Sequence, residues 1–212
     1  YTPLDNFHVV NVNSYVAAIL YTIYTYTKDS SLIEYADKLL NYVFKEQNED
    51  GSWYYWGNEE RINKSIDSLH QCYIIENLYR CYLVNNNPRI LSSIQKALDF
   101  YIPNFFSDGK ITKFCDPKYS RYPLELIDHA EAIIMFTMLD RDYKTMEYAT
   151  KVVEYTLGKF KITDKPYFYS YILNGKPVDI PYIRWGLSQM LYAYVFYTLI
   201  SKKKIDLKEL LL

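Results

Sequence analysis

The sequence predicts an all-α fold, an α/α toroid of about four helical hairpins with a short β-hairpin near residues 167–180. Three observations predict it. The segments EYADKLLNYVFKEQNEDGSWYY, SIQKALDFYIPNFFSDGKITKF and EYATKVVEYTLGKFKITDKPYF superimpose as a repeat of about 55–58 residues. Between them lie more uniformly apolar stretches of helical length. The links on one side of the helices are short, and those on the other are long, aromatic and irregular. An amphipathic helix alternating with one buried nearly all round is what the outer and inner rings of a toroid require.

The elements follow in order. The first inner helix is expected over Asn13–Thr27, and Lys28-Asp29-Ser30-Ser31 leads to the first outer helix, with Ser31 suited to its start. The outer helices align on Lys38, Lys96 and Lys151, then Leu39-Leu40, Ala97-Leu98 and Val152-Val153, then Tyr42, Phe100 and Tyr155. Twelve or thirteen residues after each lysine comes a turn: Asp50-Gly51, Asp108-Gly109 and Asp164-Lys165. The second inner helix spans Asp67–Asn85, and Pro88 opens the outer helix after it. Inner helices follow over Leu124–Leu139 and Arg184–Ser201, then a short one over Ile205–Leu212. The long links, Asn48–Ile66, Ser107–Pro123 and Lys161–Pro181, are expected to gather at one mouth beside the N-termini of the inner helices. Within the last, Asn174-Gly175 in an alternating run signals the β-hairpin.

At 212 residues the chain suits one domain over 1–212. Four hairpins leave the ring open, or N-terminal sequence upstream of Tyr1 completes it. A formal charge of −1, from 24 basic and 25 acidic residues, gives no footprint for nucleic acid. No run reaches the roughly eighteen apolar residues of a membrane span. Three cysteines without zinc-site spacing fit a reducing, cytoplasmic compartment, and no metal or other cofactor is expected. Tyrosine is the outlier, at 25 copies. Its amphipathic ring serves either a core or a sugar-stacking surface.

The starts of the inner helices carry most of the reactive side chains. The first has Asn11 and Asn13, and the second has Asp67 and His70. The third has Glu125, Asp128, His129 and Glu131, and the fourth follows Asp179 with Tyr182, Arg184 and Trp185. A carboxylate in such a place can simply cap the helix. Asp67 and His70 are three apart and share a face, so the carboxylate can orient the imidazole as an acid or base. Asp128 and His129 point apart, so at most one faces the mouth. Arg184, at the entry to an apolar helix, calls for a buried carboxylate (Asp67, Glu125 or Asp179) or a bound anion. Trp53, Tyr54, Tyr55 and Trp56 either staple the first long link down or form a stacking wall for pyranose rings.

The run Gln47 to Trp53 fits the Q-x3-G-x-W turn of triterpene cyclases, but the D-x-D-D and D-D-x-x-D clusters of terpene cyclases are absent. A cyclase-like protein is therefore the weakest reading, and the turn is expected to be a device that ties one hairpin to the next. The stretches NVNSYVAAIL, QNEDGSWYYW, SIDSLHQCYIIENL, YPLELIDHAEAII and IPYIRWGLSQMLYA resemble α/α-toroid proteins of the six-hairpin glycosidase-like superfamily. These are polysaccharide-modifying relatives of glucuronyl C5-epimerases, uronate lyases and unsaturated glucuronyl hydrolases. The resemblance implies that Trp53, Asp67, His70 and Arg184 line a central cleft. At the third motif, where the family pattern reads Pro-Ile-Asp-Ile-His, this chain has Pro123-Leu-Glu125-Leu-Ile127, keeping the carboxylate and losing the histidine.

The expectation is a carbohydrate-active protein holding an acidic oligo- or polysaccharide in the mouth of the toroid. If it is an enzyme, epimerisation or β-elimination at a uronate would use Arg184 against the sugar carboxylate and His70 as base or acid, with Tyr55 or Tyr182 as counterpart. Hydrolysis by Asp67 with Glu125 or Asp128 is the other enzymatic option. Trp53, Tyr55, Trp56, Asn13, Tyr182 and Trp185 are the expected sugar contacts. The non-enzymatic alternative is a glycan-binding or scaffold module.

Overall fold

The computed structural model describes residues 8–57, 66–116, 123–202 and 205–207. Seven α-helices carry the fold among these residues: α1 (Val10–Thr27), α2 (Ser31–Lys45), α3 (Ser68–Asn85), α4 (Pro88–Phe105), α5 (Leu126–Tyr143), α6 (Met146–Lys159) and α7 (Ser188–Ser201). They pair as hairpins α1–α2, α3–α4 and α5–α6, and the inner helices pack in the row α1, α3, α5, α7. This is the predicted α/α toroid architecture. The helix expected over 205–212 lies largely outside the described residues.

Inner and outer helices differ as their sequences require. On α5 every residue from Leu126 to Leu139 is buried, including Asp128, His129 and Glu131. On α2 only Ala36, Leu40 and Val43 are buried, one stripe on a charged helix. The inner helices α1, α3 and α5 end in left-handed residues, Lys28, Asn86 and Lys144, which turn the chain sharply into the next outer helix. The inner row ends in apolar faces, with Tyr15, Ile19 and Ile23 of α1 and Leu191, Tyr192 and Val195 of α7 exposed. No helix among the described residues is long and apolar enough to cross a membrane.

The repeat is visible as contacts. Gly51 (φ 94°) and Gly109 (φ 84°) sit in left-handed turns, and a Cβ on either would run into a backbone carbonyl. The carbonyls are those of Lys96 and Lys151, the lysines that the repeat aligns. Each turn therefore rests on the outer helix of the following hairpin. Gln47 adds a second tie between the first two hairpins, donating to Ser93 O at 3.0 Å and accepting from Ser93 Oγ at 2.7 Å. The Q-x3-G part of the cyclase-like motif is thus architectural.

Small β-elements line the long-link side. β1 (Phe106–Ser107) pairs with β2 (Lys110–Ile111). β3 (Leu124–Glu125) joins β4 (Tyr171–Leu173) and β5 (Lys176–Val178) in an antiparallel sheet of order β3-β4-β5. The β4–β5 hairpin turns at Asn174-Gly175, both at positive φ, as the sequence predicts. The fourth inner helix departs from expectation. Trp185 and Gly186 are non-helical, Gly186 with φ 108°, so regular helix begins at Ser188 rather than Arg184.

Candidate active site

Three inner helices begin in the same way. The first amide of each donates to a carbonyl in a long link: Val10 N to Tyr55 O (3.3 Å), Ser68 N to Lys113 O (2.9 Å) and Leu126 N to Ser170 O (2.9 Å). The residue before each amide is extended and pairs with the link, Val9 with Trp56, Asp67 with Phe114 and Glu125 with Tyr171. Asp67, His70 and Gln71 on α3 thus correspond to Glu125, Asp128 and His129 on α5, and to Val9, Val12 and Asn13 on α1.

At α3 the carboxylate has two tasks. Asp67 caps the helix, accepting from His70 N at 3.0 Å, and its two oxygens lie 2.7 and 2.8 Å from His70 Nδ1. Capping and orientation of the imidazole therefore come from one side chain. With Nδ1 committed, Nε2 is the ring nitrogen left to meet a ligand. The Tyr55 ring stands edge-on to His70 at 4.5 Å, and Trp56 stands edge-on to Tyr55 at 4.9 Å. Opposite, Lys113 forms an ion pair with Glu125, each side chain about a quarter exposed. These residues, with Tyr73, Phe114 and Trp185, line a cleft of about 430 Å³.

At α5 the equivalent positions do different work. His129 accepts from Ile111 N through Nε2 (3.2 Å), and its Nδ1 lies 2.8 Å from Glu125 O. It stacks on Tyr155 with ring centroids 5.5 Å apart. Burial pulls its pKa down to about 4, so it is neutral and structural. Gln71 plays the same part on α3, bracketing Trp53 by accepting from its N–H (3.0 Å) and donating to its carbonyl (2.9 Å). Asp128, the counterpart of His70, is 1% exposed and neither carboxylate oxygen has a hydrogen-bond partner. Burial pushes its carboxyl well above the usual range, the nearby Glu125 charge adds to this, and Lys113 opposes it.

The structure brings Asp67, His70, Glu125, Tyr55, Trp56 and Trp185 to one cleft and separates the rest. Trp53 is fully buried, its indole N–H donating to Val43 O at 2.9 Å, so it staples the link and does not face the mouth. Arg184 is exposed, because Gly186 delays the helix, and it lines an adjoining hollow with Pro181, Tyr182, Ile183 and Trp185. The three carboxylates expected as its partners are engaged elsewhere: Asp67 with His70, Glu125 with Lys113, and Asp179 with Lys165. Tyr182 belongs to that hollow, which meets the cleft through Trp185. Asn13 donates to Val9 O at 2.8 Å within its own helix start. Asp128 is buried in the core and does not line the cleft. Lys113 is the cleft cation that sequence reasoning missed, although the repeat contains the signal. Lys113 and Phe114 follow Gly109 at the distances at which Tyr55 and Trp56 follow Gly51.

The row of inner helices and its outer partners form an α/α toroid, and solved structures share this fold. Among solved structures it is similar to an unsaturated glucuronyl hydrolase specific for heparin, with TM-score 0.72, 14% identity and coverage of 98% of this chain and 63% of that one. It is also similar to cellobiose 2-epimerase from Bacillus thermoamylovorans, with TM-score 0.71, 11% identity and coverage of 94% and 60%. A third is the α-1,6-mannanase of Salegentibacter sp. in complex with α-1,6-mannotriose, with TM-score 0.68, 12% identity and coverage of 91% and 55%. The chain spans between 55% and 63% of the length of these three structures. No protein-family model and no curated protein sequence matches it.

Proposed function

We propose that the protein is carbohydrate-active, and that it takes a uronate-containing oligosaccharide in the mouth cleft and transfers a proton there through His70. The observation that carries this reading is the Asp67–His70 pair, with Nδ1 held at 2.7 and 2.8 Å, in a cleft walled by Tyr55, Trp56 and Trp185. Aromatic faces suit the C–H faces of pyranose rings, and a fixed imidazole suits acid–base work. Hydrolase and epimerase structures that share the fold make a carbohydrate the natural ligand class.

Lys113 takes the part first expected of Arg184. Its ammonium, shared with Glu125, contacts the sugar carboxylate, and the C–H next to that carboxylate becomes more acidic. His70 Nε2 accepts the C5 proton, and the electron pair left on carbon is delocalised into the carboxylate. Tyr55, in ring contact with His70, stands on the same side of the sugar. In epimerisation a proton therefore returns to the opposite face of C5 from a donor across the cleft. In elimination the C4–O bond breaks and the departing oxygen takes up a proton. Both carboxylates at the cleft are already paired with cationic or imidazole partners, which favours proton transfer over hydrolysis by a free acid pair. Incubation with uronate-containing oligosaccharides in deuterated water tests this. Deuterium at C5, or a 4,5-unsaturated product, is expected. Binding with no exchange, no unsaturated product and no cleavage would instead make the protein a glycan-binding module.

A further inference from the structure

The long link before α7 ends in an edge that the rest of the fold leaves uncovered. Gly186, at φ 108°, stops α7 from extending back over Tyr182–Trp185, although the apolar sequence runs on through them. Both ends of this strap are pinned. Buried Ser170 donates through Oγ to Ile180 O (2.5 Å) and accepts from Tyr182 N (3.4 Å). Gln189 Oε1 accepts from Gly186 N at 3.1 Å. The middle is displayed, with every residue from 179 to 185 exposed. Ile183 is 76% and Trp185 64% exposed, and Ile180 and Leu173, at the end of β4, add to the same edge. A single bare isoleucine is unremarkable, but adjoining exposed apolar residues mark a surface that meets something apolar.

The edge is also the basic part of an acidic chain. Lys159 to Arg184 contain five basic and two acidic residues, net +3, whereas the whole chain is −1. Lys165 neutralises Asp179. Lys161, Lys176 and Arg184 are exposed and form no ion pair among the described residues. Aliphatic tips between aromatic rings and long-stemmed cations are the composition that a lipid headgroup layer selects. The tips enter the acyl boundary, indole and phenol rings sit at headgroup level, and the cations meet phosphate. Isoleucine and leucine tips offer nothing to sugar hydroxyls, which sets this edge apart from the aromatic wall of the mouth.

We propose that the edge from Leu173 to Trp185 docks the protein peripherally on an anionic lipid surface. Ile180 and Ile183 enter the layer, and Lys176 and Arg184 lie against lipid phosphates. Trp185 also lines the mouth cleft, so docking brings the mouth beside the surface. The proposal holds whatever the mouth itself binds. Its test is co-flotation of the full chain with vesicles of phosphatidylcholine alone, or of equal parts phosphatidylcholine and phosphatidylglycerol. Flotation with the anionic vesicles, at least about tenfold weaker with the neutral ones and weakened by added salt, is the expected result. Ile183→Asp should weaken it about tenfold or more, and so should Lys176→Glu combined with Arg184→Glu. These side chains are exposed, so circular dichroism and the thermal midpoint should not change. No flotation with anionic vesicles overturns the proposal. Flotation that both variants retain, or that is equal with the two lipids, also overturns it. A soluble hexuronate oligosaccharide separates the remaining case. If the chain binds it, Arg184→Glu abolishes that binding and no vesicle floats, the edge is a glycan site and lipid docking is overturned.

Discussion

At the start of α3, the third residue after the extended position is His70, half in the cleft and held by Asp67. At the start of α5 it is Asp128, sealed in the core with both oxygens unpaired. One residue further on, Gln71 and His129 both turn away from the mouth and fasten a link by its backbone. Two helix starts with one backbone design thus split into one that presents an imidazole to the cleft and one that is structural. A histidine is therefore informative only with its register. His70 at the third position meets the cleft, whereas His129 at the fourth is a neutral staple.

The largest expected effect comes from removing the chemical member of the pair. His70→Gln should lower the rate of C5 proton exchange about 10²–10⁴-fold, the usual contribution of a general acid–base group. Its thermal midpoint should stay close to that of the parent. Next come the tryptophans of the first link. Trp53→Ala should destabilise the fold by about 3–5 kcal/mol, as a fully buried aromatic replaced by Ala does. Trp56→Ala should leave stability nearly intact and weaken glycan binding, read by calorimetric titration.

The acid at the α5 start gives a pH signature. Asp128 has a folded pKa above that of the unfolded chain, so the parent protein loses stability as pH rises from about 4 toward the folded value. Asp128→Asn has no such loss. The variant should match the parent in acid and exceed it near pH 8 in urea unfolding. His129 acts in the opposite direction, with a folded pKa of about 4 below its unfolded value. The parent therefore loses stability as pH falls from about 6.5 to 4, and His129→Gln should remove that acid limb, worth about 3 kcal/mol.

Much of this was legible in the sequence, and the gaps have physical reasons. The three-segment repeat located α2, α4 and α6 and the glycine turns, because periodicity and a left-handed backbone leave marks on residue choice. The Asp67–His70 pair was legible because two side chains three apart on one helix must meet. Arg184 was misplaced because Gly186 stops the helix at a point where the apolar pattern continues, a backbone decision that periodicity does not reveal. Trp53 was misplaced because adjacent aromatics on an extended link alternate sides, and only the partner Gln71 decides which side is inside. Lys113 was passed over although its place after Gly109 matches that of Tyr55 after Gly51.

The central claim is that the α3 start does chemistry and the α5 start does not. Its most direct test is the rate of C5 deuterium exchange on a uronate-containing oligosaccharide, measured side by side for the parent, His70→Gln and His129→Gln with folding checked by circular dichroism. Exchange lost in the first variant and kept in the second is the predicted result. Exchange that survives His70→Gln in a folded protein, or disappears only with His129→Gln, would contradict it.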